Sequence, residues 1–350
     1  MPTVFFTGYP GFLGSELLPR ILRRSPGANA VCLVQPKFVD LAEERRRASG
    51  FADRIRIVEG DITQPIEPID DVTEIFHLAA IYDIGVRRDL AMKVNVDGTR
   101  NVLDFARKCS ALERVHYVST CYVSGRHRGL FREDQLQTKQ TFNNFYEETK
   151  HLAEVEVRFA MREGLPATIY RPAVVVGDSV TGATQKFDGP YYVIQWLLRQ
   201  PHVAFLPVVG RPSRYHFNVV PRDFIVAALD YLSGIPQSLG KTYQLADPEP
   251  LTVDETIDAI GEATDRIIVR IPLPAALAKG AIEYVPGVYN LMRIPAPAVD
   301  YFVHPTDYDT TNTQQDLAGS GIALPRLRDY LPHLIDFVRA HPEIGSAAMA

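Results

Sequence analysis

The chain has 350 residues, of which 46% are hydrophobic and 23% are charged, and its formal net charge is −5 at pH 7. This composition is typical of a globular protein with one large domain or two unequal ones, and the slight negative charge does not favour nucleic acid or an anionic membrane as a partner. No apolar run reaches the roughly 18 residues of a membrane span, and no signal peptide is recognisable. Three widely spaced cysteines do not form a disulfide framework, so we expect a cytoplasmic protein.

Strand-like and helical patterns alternate through the first half of the chain. Short apolar runs predict strands at residues 4–7, 30–34, 55–59, 73–78, 115–119 and 167–170. Helical spacing of apolar residues predicts helices at residues 13–24, 41–49, 86–108 and 145–162. Because strands that alternate with helices form parallel sheets, we predict an α/β fold with a doubly wound Rossmann domain over residues 1–177.

The composition changes after residue 177. Residues 178–214 are rich in glycine, proline and aromatic residues and suggest a substrate-side excursion with one helix near residues 191–199. Further helices are predicted at 253–264, 275–284 and 325–341, with an irregular segment at 285–305 and a break or kink at Pro332. Residues 217–232, with a helix that begins near Pro221, are predicted to return to the Rossmann domain. Residues 178–216 and 233–350 are then expected to form a smaller, mostly helical substrate lobe.

The first predicted strand leads directly into a glycine-rich turn. Val4-Phe5-Phe6-Thr7 is followed by Gly8, Gly11 and Gly14 and then by the first predicted helix. This is the context of a dinucleotide fingerprint, although the spacing is GxxGxxG rather than the commoner GxGxxG. Gly8 would permit the tight turn, Gly11 the approach of a pyrophosphate to the backbone, and Gly14 the close packing of helix on strand, with the helix N-terminus facing the phosphates.

The ends of the second and third predicted strands bear on the choice between NAD and NADP. An acidic residue after the second strand would bind the ribose 2′-hydroxyl of NAD, but Gln35-Pro36-Lys37 stands there instead. Lys37 suits a 2′-phosphate, which favours NADP. Asp61 follows the third strand, where it is either a reader of the adenine edge or an ordinary turn or cap residue.

Tyr146 and Lys150 stand four residues apart in the predicted helix 145–162, so they share one face of it. A free phenol has a pKa of about 10, which is high for acid–base chemistry at neutral pH, and a nearby ammonium lowers it. The alternative interpretation of Tyr-x-x-x-Lys is a surface helix. Its place after the fifth strand of a Rossmann sheet favours the catalytic interpretation.

A pair of hydroxyl side chains ends the fifth predicted strand. Ser119 or Thr120 would point into the crevice at the carboxyl ends of the strands and could donate to a carbonyl oxygen, although strand ends also carry Ser or Thr for turn formation. His77, His116 and His216 lie beside apolar runs and are interpreted as satisfied interior groups. No His, Cys, Asp or Glu cluster has metal-ligand spacing, so no metal is expected.

Several motifs occur in one order along the chain. They are the glycine turn, Gly60-Asp61, Leu78-Ala79-Ala80, Asn95-Val96-x-Gly98-Thr99, Ser119-Thr120, Tyr146-x-x-x-Lys150, Arg171-Pro172 and Phe217-Asn218-Val219-Val220-Pro221-Arg222-Asp223. Together they resemble the extended short-chain dehydrogenase/reductase family. The resemblance implies Thr120, Tyr146 and Lys150 as catalytic residues, Asn95 as a structural residue of the crevice, and a backbone segment around Pro172 and Val174 that faces the nicotinamide.

The expected cofactor-binding residues combine the derived and the implied positions. They are Gly8, Gly11, Phe12, Leu13, Gly14, Lys37, Asp61, Ile62, Leu78, Ala79, Ala80, Tyr146, Lys150, Pro172 and Val174.

Within this family, the chain is most similar to the male-sterility branch, which includes thioester reductase domains and fatty acyl-CoA reductases. The similarity is carried by Phe76-His77-Leu78-Ala79-Ala80, by the segment from Phe142 to Glu154, and by Arg171-Pro172-x-Val174-Val175-Val176-Gly177-Asp178. The Lys186-Phe187-Asp188-Gly189-Pro190-Tyr191-Tyr192 stretch departs from that pattern and leaves the substrate open. Family members are often dimers through helices that correspond to residues 86–108 and 145–162, so the resemblance also implies a homodimer.

The leading hypothesis is therefore an NADPH-dependent reductase of an acyl thioester, bound to CoA or a carrier protein, or of a related carbonyl. One alternative is a sugar epimerase or a hydroxysteroid- or ketone-type oxidoreductase of the same family. A dehydratase is disfavoured because Cys121-Tyr122, rather than Asp-Glu, follows Thr120. The other alternative is a non-catalytic nucleotide-binding protein, which the presence of both Tyr146 and Lys150 disfavours.

Overall fold

This computed structural model describes residues 2–274, 277, 279–280 and 295–345. Its strands in the described part of the chain are β1 Thr3–Thr7, β2 Asn29–Val34, β3 Ile55–Glu59, β4 Val72–His77, β5 Arg114–Val118, β6 Gly129–Phe131, β7 Ala167–Pro172, β8 Val174–Val176, β9 Val203–Val209, β10 Val219–Pro221, β11 Thr242–Leu245, β12 Ile267–Leu273 and β13 Thr306–Tyr308. The helices are α1 Gly14–Arg24, α2 Val39–Ala48, α3 Arg88–Ala91, α4 Gly98–Lys108, α5 Phe145–Arg162, α6 Pro190–Leu198, α7 Arg222–Gly234, α8 Val253–Thr264, α9 Thr311–Leu317 and α10 Leu327–Ala340.

A parallel sheet in the order β3-β2-β1-β4-β5-β7-β11 lies at the centre of the fold. This order is that of a doubly wound sheet, so the predicted α/β Rossmann fold is confirmed. The strand order reverses between β1 and β4. The crevice beside the carboxyl ends of these two strands is therefore the expected ligand site of the fold.

Packing and capping explain the helices that flank the sheet. The apolar face of α1, which includes Leu17, Leu18 and Ile21, is fully buried in the main core. Asn144 caps α5 by accepting a hydrogen bond from the backbone N–H of Glu147, which is a typical N-cap interaction. The sequence prediction of this helix is confirmed to the residue.

The predicted helix 86–108 is wrong as a single element. Residues of this range form α3, then a π-helical segment Met92–Asp97, and then α4. The predicted break at Pro332 is also wrong, because α10 runs through this residue. Its buried Leu331, Leu334 and Ile335 hold the helix against the second core, and this tertiary packing outweighs the backbone hydrogen bond that proline lacks.

Two strands from the C-terminal part of the chain pair with strands from its first half. β11 pairs with β7 at the edge of the main sheet, and β13 pairs with β6, so part of the range 233–350 contributes strands to these sheets. A second core lies among α6, α8 and α10. Most of the predicted helix 275–284 and residues 285–294 of the predicted irregular segment lie outside the described residues, whereas Ala296–Val303 form a 3-10 helix.

None of the helices in the described ranges combines the length and the apolar character that a membrane crossing requires.

Candidate active site

The turn after β1 brings its backbone against the carboxyl end of β4. Gly8 has φ +91°, and a Cβ atom there would lie 2.8 Å from the backbone nitrogen of Ala79. The backbone N–H of Leu78 donates to the carbonyl of Thr7 over 3.1 Å, and that of Ala79 donates to the Thr7 Oγ1 over 3.3 Å. The structure thus brings together Gly8 and the predicted residues Leu78 and Ala79, and Ala80 follows them directly in the chain.

Gly11 and Gly14 are required by the turn itself. A Cβ atom would lie 2.8 Å from the Gly8 carbonyl oxygen at Gly11 and 2.5 Å from it at Gly14. The constraint at Gly11 is therefore internal to the turn, in addition to the predicted approach of a pyrophosphate. Leu13 stands at the N-cap of α1 and makes no side-chain capping bond, while the backbone N–H groups of Ser15 and Glu16 donate to the carbonyls of Gly11 and Leu13. Phe12 lies beside this turn, 5.1 Å from the guanidinium of Arg222.

The carboxyl ends of β2 and β3 are linked by side chains. Gln35 Nε2 donates to Asp61 Oδ2 over 2.7 Å, and the backbone N–H of Thr63 donates to Asp61 Oδ1 over 2.8 Å. Burial acts to raise the pKa of Asp61, but these hydrogen bonds outweigh burial and leave the pKa below its ordinary value. Ile62 packs against Gly98 at the start of α4. Lys37 lies in a short 3-10 turn after β2, with its ammonium 4.9 Å from the Phe38 ring centre.

Thr120 and Tyr146 are both buried, and the Thr120 hydroxyl lies close enough to the Tyr146 phenol to affect its pKa. Thr120 follows β5 and caps the 3-10 turn Cys121–Ser124, where its Oγ1 accepts from the backbone N–H of Tyr122 over 3.2 Å. Burial raises the pKa of Tyr146 above its ordinary value, and the Thr120 hydroxyl acts in the opposite direction. The phenol therefore carries its proton at neutral pH.

Ser119 points elsewhere. Its hydroxyl donates to Glu154 Oε2 over 2.6 Å, within a buried ion pair between Glu154 and Arg171. Of the two hydroxyls at the end of β5, the structure therefore brings Thr120, and not Ser119, to Tyr146.

Lys150 lies one turn along α5 from Tyr146, as predicted, but its contacts differ from the expectation. The buried ammonium donates to Tyr117 Oη over 3.1 Å and to the carbonyl of Val118 over 2.9 Å. Burial lowers the pKa of Lys150 to about 7, although the carboxylate of Glu154 acts to raise it. Burial, rather than the ammonium, is the largest influence on the pKa of Tyr146, and the ammonium is directed to β5; a role of Lys150 in tuning the phenol stays a prediction.

Asn95 connects the crevice to α5. Its Oδ1 accepts from the buried backbone N–H of Ile81 over 2.9 Å, and its Nδ2 donates to Thr149 Oγ1 over 3.0 Å. Asn95 stands within the π-helical segment, a type of distortion that frequently occurs at functional sites. The segment that contains Pro172 and Val174 lies next to Thr120, since the Pro172 carbonyl accepts a hydrogen bond from Thr120 Oγ1 over 3.4 Å.

Three aromatic and charged side chains beside Tyr146 escaped the sequence prediction. The Tyr82 ring meets the Tyr146 ring edge-on at 5.0 Å between centroids. Lys186 lies 3.8 Å from the Tyr82 ring centre and forms a 2.6 Å ion pair with Asp188. Lys186, at the start of the unusual 186–192 stretch, therefore contacts the ring that packs on the candidate proton donor. Its composition was visible in the sequence, but no periodic pattern linked it to residue 146.

Of the histidines interpreted as interior groups, His77 and His116 are buried with both ring nitrogens hydrogen-bonded. The prediction for His216 is wrong, since its side chain is 40% exposed and contacts Asp307 on the surface.

The geometry fits a dinucleotide. The turn admits no Cβ atom at Gly8, Gly11 or Gly14, the first turn of α1 lacks a side-chain cap, and a Thr–Tyr pair with a lysine one turn along stands at the carboxyl end of β5. These features define an NAD(P)-dependent oxidoreductase of the extended short-chain dehydrogenase/reductase type. More narrowly, the chain belongs to the male sterility protein family, whose model matches residues 6–229. The predicted branch is thereby confirmed.

Curated relatives include much longer proteins. The non-canonical nonribosomal peptide synthetase FrzA of Cladobotryum sp is 25% identical over 378 aligned residues, which cover 96% of this chain and 36% of FrzA. The L-2-aminoadipate reductase large subunit of Penicillium chrysogenum is 32% identical over 258 residues, which cover 64% of this chain and 18% of that protein. The chain thus spans well under half the length of these relatives.

Solved structures show the same fold. The terminal R domain from the myxalamid PKS-NRPS biosynthetic pathway has a TM-score of 0.81 and 26% identity, with 99% of this chain and 93% of that chain covered. The UDP-glucuronic acid 4-epimerase from Bacillus cereus, in complex with NAD, has a TM-score of 0.67 at 17% identity, with 99% of each chain covered. The second likeness is one of fold alone.

Proposed function

We propose that the protein reduces an acyl thioester, carried by CoA or by a carrier protein, to an aldehyde or alcohol with NADPH. The observation that carries this proposal is the buried pairing of Thr120 with Tyr146, with Lys150 one turn along the same helix. Further support comes from the names of the relatives, which include a reductase large subunit and the terminal R domain of a PKS-NRPS pathway.

The proposed mechanism assigns a role to each side chain. NADPH supplies the hydride that reduces the carbonyl carbon. Thr120 and Tyr146 donate hydrogen bonds to the carbonyl oxygen, where negative charge develops in the transition state. Tyr146 then protonates that oxygen, which its protonated state at neutral pH permits. The resulting hemithioacetal expels its thiol and leaves an aldehyde, and a second reduction of the aldehyde gives the alcohol.

The remaining residues hold the cofactor in this proposal. The glycine turn and the first N–H groups of α1 bind the pyrophosphate. Asp61, Ile62 and the Leu78–Ala79–Ala80 segment face the adenosine half, whereas Pro172 and Val174 face the nicotinamide. Lys150 donates to the nicotinamide ribose with an N–H group that is not directed to Tyr117 or Val118.

The substrate class is tested by following NADPH absorbance with acyl-CoA and acyl-pantetheine thioesters of increasing chain length. We expect NADPH oxidation with release of one free thiol per acyl group. Tyr146→Phe should lower kcat by about 10²-fold or more, the range of general acid catalysis. Tyr231→Phe on α7 is the control and should retain full activity.

Absence of oxidation with every thioester would remove this substrate class. Tightly bound, oxidised cofactor in the purified protein would instead favour the epimerase alternative.

We also propose NADP rather than NAD as the cofactor, because Lys37 stands after β2 where the fold reads the ribose 2′ position. Lys37→Ala should raise the Kd of NADPH about tenfold, which corresponds to one charge-assisted hydrogen bond, and leave the Kd of NADH unchanged. Arg47→Ala is the matched control, because it also removes a cation but lies on the exposed face of α2. It should change neither Kd. Equal effects on the two cofactors would argue against a 2′-phosphate contact.

A cytoplasmic location and a homodimer complete the proposal. The three free cysteines, of which Cys32 and Cys121 are buried, support a reducing compartment. The outer face of α4 and α5, where Phe159 is half exposed and Arg100 pairs with Glu156, supports a self-contact through these helices. We further propose that the 178–216 segment and the residues after β11 cover the substrate side of the site.

A further inference from the structure

A line of buried hydrogen bonds runs from Lys150 through the sheet to the glycine turn. Lys150 Nζ donates to Tyr117 Oη on β5 over 3.1 Å, and the Thr99 side chain on α4 lies close enough to the Tyr117 hydroxyl to affect its pKa. Thr99 Oγ1 lies 3.0 Å from His77 Nε2, and His77 Nδ1 lies 2.8 Å from Thr7 Oγ1. All five side chains are at least nine-tenths buried.

The donors and acceptors along this line can be assigned from Thr99 outward. Thr99 Oγ1 donates its single proton to the carbonyl of Asn95 over 2.6 Å. It must therefore accept from His77, and one lone pair of its oxygen remains toward the Tyr117 hydroxyl, since a hydroxyl has one proton and two lone pairs. The proton of His77 is thus on Nε2, and Nδ1 accepts from the Thr7 hydroxyl, whose oxygen in turn accepts from the backbone N–H of Ala79.

Tyr117 acts as the hydrogen-bond acceptor in its contact with Lys150. The ammonium has no lone pair, so the Tyr117 oxygen accepts from it and the phenol proton is left for the Thr99 oxygen. Burial and the charge of Lys150 lower the pKa of His77 to about 3, so His77 stays neutral and the direction of the line does not change at physiological pH. Burial also raises the pKa of Tyr117, which keeps the phenol protonated.

We infer that Tyr117 is a positioning residue that holds the ammonium of Lys150 in place, and that Thr99 and His77 orient its hydroxyl for this purpose. The inference rests on the proposed function, in which the charged Lys150 holds the nicotinamide ribose. It assigns a role to residues that neither touch the reacting atoms nor belong to the Thr–Tyr–Lys motif.

The charged groups around Lys150 set the expected pH dependence. The carboxylate of Glu154 lies on the same helix and favours the ammonium, while Tyr117 on β5, neutral His77 on β4 and the phenol of Tyr146 complete its surroundings. Since burial brings the pKa of Lys150 to about 7, the loss of one stabilising acceptor removes ammonium mainly at and above neutral pH.

The test compares Tyr117→Phe with Tyr170→Phe at pH 6 and pH 8. Tyr170 is an equally buried tyrosine on the neighbouring strand β7, and its hydroxyl contacts His116 over 3.1 Å rather than Lys150. If Tyr117→Phe shifts the protonation equilibrium of Lys150 tenfold toward the neutral amine, kcat should fall about tenfold at pH 8 but only about twofold at pH 6. The KM for the thioester should not change. Tyr170→Phe should match the wild type at both pH values.

If the Tyr117→Phe variant does not fold, two variants at Thr99 test the inference instead. Thr99→Ser keeps the hydroxyl and should behave as the wild type, whereas Thr99→Ala should reproduce the kcat loss at pH 8. Equal pH profiles in Thr99→Ala and Thr99→Ser, or in Tyr117→Phe and Tyr170→Phe, would overturn the inference.

Cofactor binding separates this inference from the proposed function. The Kd of NADPH, measured by cofactor fluorescence at the same two pH values, needs no turnover. A wild type that reduces no thioester contradicts the proposed function. The inference then stands if Tyr117→Phe raises that Kd more at pH 8 than at pH 6, and it is rejected if the Kd ratio is the same at both.

Discussion

The three glycines of the turn after β1 are constrained in different ways at the residue scale. Gly8 alone among them has a left-handed backbone, whereas Gly11 and Gly14 are limited by the Gly8 carbonyl that their Cβ atoms would meet. A backbone atom cannot move aside as the end of a flexible side chain can. The turn therefore tolerates no side chain at any of these positions, and the pattern GxxGxxG has a geometric cause beyond the binding of a phosphate.

Gly14→Ala should disrupt the turn. The new Cβ would be placed 2.5 Å from the Gly8 oxygen, so the start of α1 must shift away from β1. We expect NADPH affinity to fall at least about tenfold and the free energy of unfolding to fall by about 1–3 kcal/mol, as for overpacked sites. Cofactor titration and urea unfolding measure the two effects.

Gly27→Ala is the control for this substitution. Nothing lies within 4 Å of a Cβ atom there, so its effect on stability should stay within about 0.5 kcal/mol. Similar losses in the two variants would contradict the steric argument.

The candidate site residues could be named from the sequence, but their partners could not. Motif order pointed to Thr120, Tyr146 and Lys150, and residue spacing placed the last two on one helical face. The contact between Lys150 and Tyr117 joins α5 to β5 across the sheet. Sequence patterns carry no distance between side chains of separate elements, so this contact, and the line of hydrogen bonds behind it, required the structure.

At the scale of elements, the segment between β4 and β5 shows where periodicity fails. Apolar spacing predicted one helix over residues 86–108, because a π-helical turn adds only one residue to a helix and hardly changes the pattern. That turn carries Asn95, whose side chain bonds both the loop after β4 and α5. The distortion therefore connects two elements of the candidate site.

Asn95→Ala should loosen this connection. It leaves the backbone N–H of Ile81 buried without its acceptor, which costs about 1–3 kcal/mol of folding free energy. We also expect a lower kcat, because Thr149 lies between Tyr146 and Lys150 on α5 and loses its contact with the loop. Urea unfolding and NADPH turnover provide the two measurements.

Asn101→Ala is the matched control, since Asn101 on α4 donates to the carbonyl of Ile62 away from the Thr–Tyr–Lys group. It should retain kcat. If both variants retained kcat, Asn95 would be a purely structural residue.

The edge of the sheet was also beyond sequence prediction. β11 has four residues, Thr242–Leu245, all buried, and it shows neither the alternation of a half-exposed strand nor a long apolar run. The donor groups of its polar Gln244 are satisfied, because the backbone N–H donates to Glu133 and the side-chain Nε2 donates to the Phe131 carbonyl, whereas the buried Oε1 has no partner in the described part of the chain. Only partners from distant parts of the chain make such a residue favourable in a core, and a single sequence does not reveal them.

For the whole molecule, one buried ion pair joins several parts of the Rossmann fold. Arg171 on β7 and Glu154 on α5 are both fully buried and approach to 2.6 Å. Glu154 also accepts from Ser119 at the end of β5, and Arg171 donates to the Gln135 carbonyl in the loop after β6. Loss of either charge would leave the other in a site without water, which is far more costly than loss of an exposed pair.

Glu154→Gln should therefore lower the free energy of unfolding by about 3–5 kcal/mol at pH 7. Burial acts to raise the pKa of Glu154, but Arg171 and Arg158 outweigh it and hold the pKa at about 2, below the ordinary 4.5. A carboxyl with a depressed pKa stabilises the fold fully above pH 4.5 and loses that contribution as the pH falls toward 2. The difference between wild type and variant should thus shrink between pH 4.5 and pH 3 in urea unfolding.

The matched control for Glu154→Gln is Glu156→Gln on the same helix. Glu156 pairs with Arg100 at the surface, where the two side chains are 30% and 49% exposed, so its loss should cost about 1 kcal/mol or less. A constant difference between Glu154→Gln and the wild type across this pH range would show that the carboxylate charge is not what Arg171 requires. The same measurement would then place the stabilisation in the shape of the side chain and in its hydrogen bonds, which glutamine partly keeps.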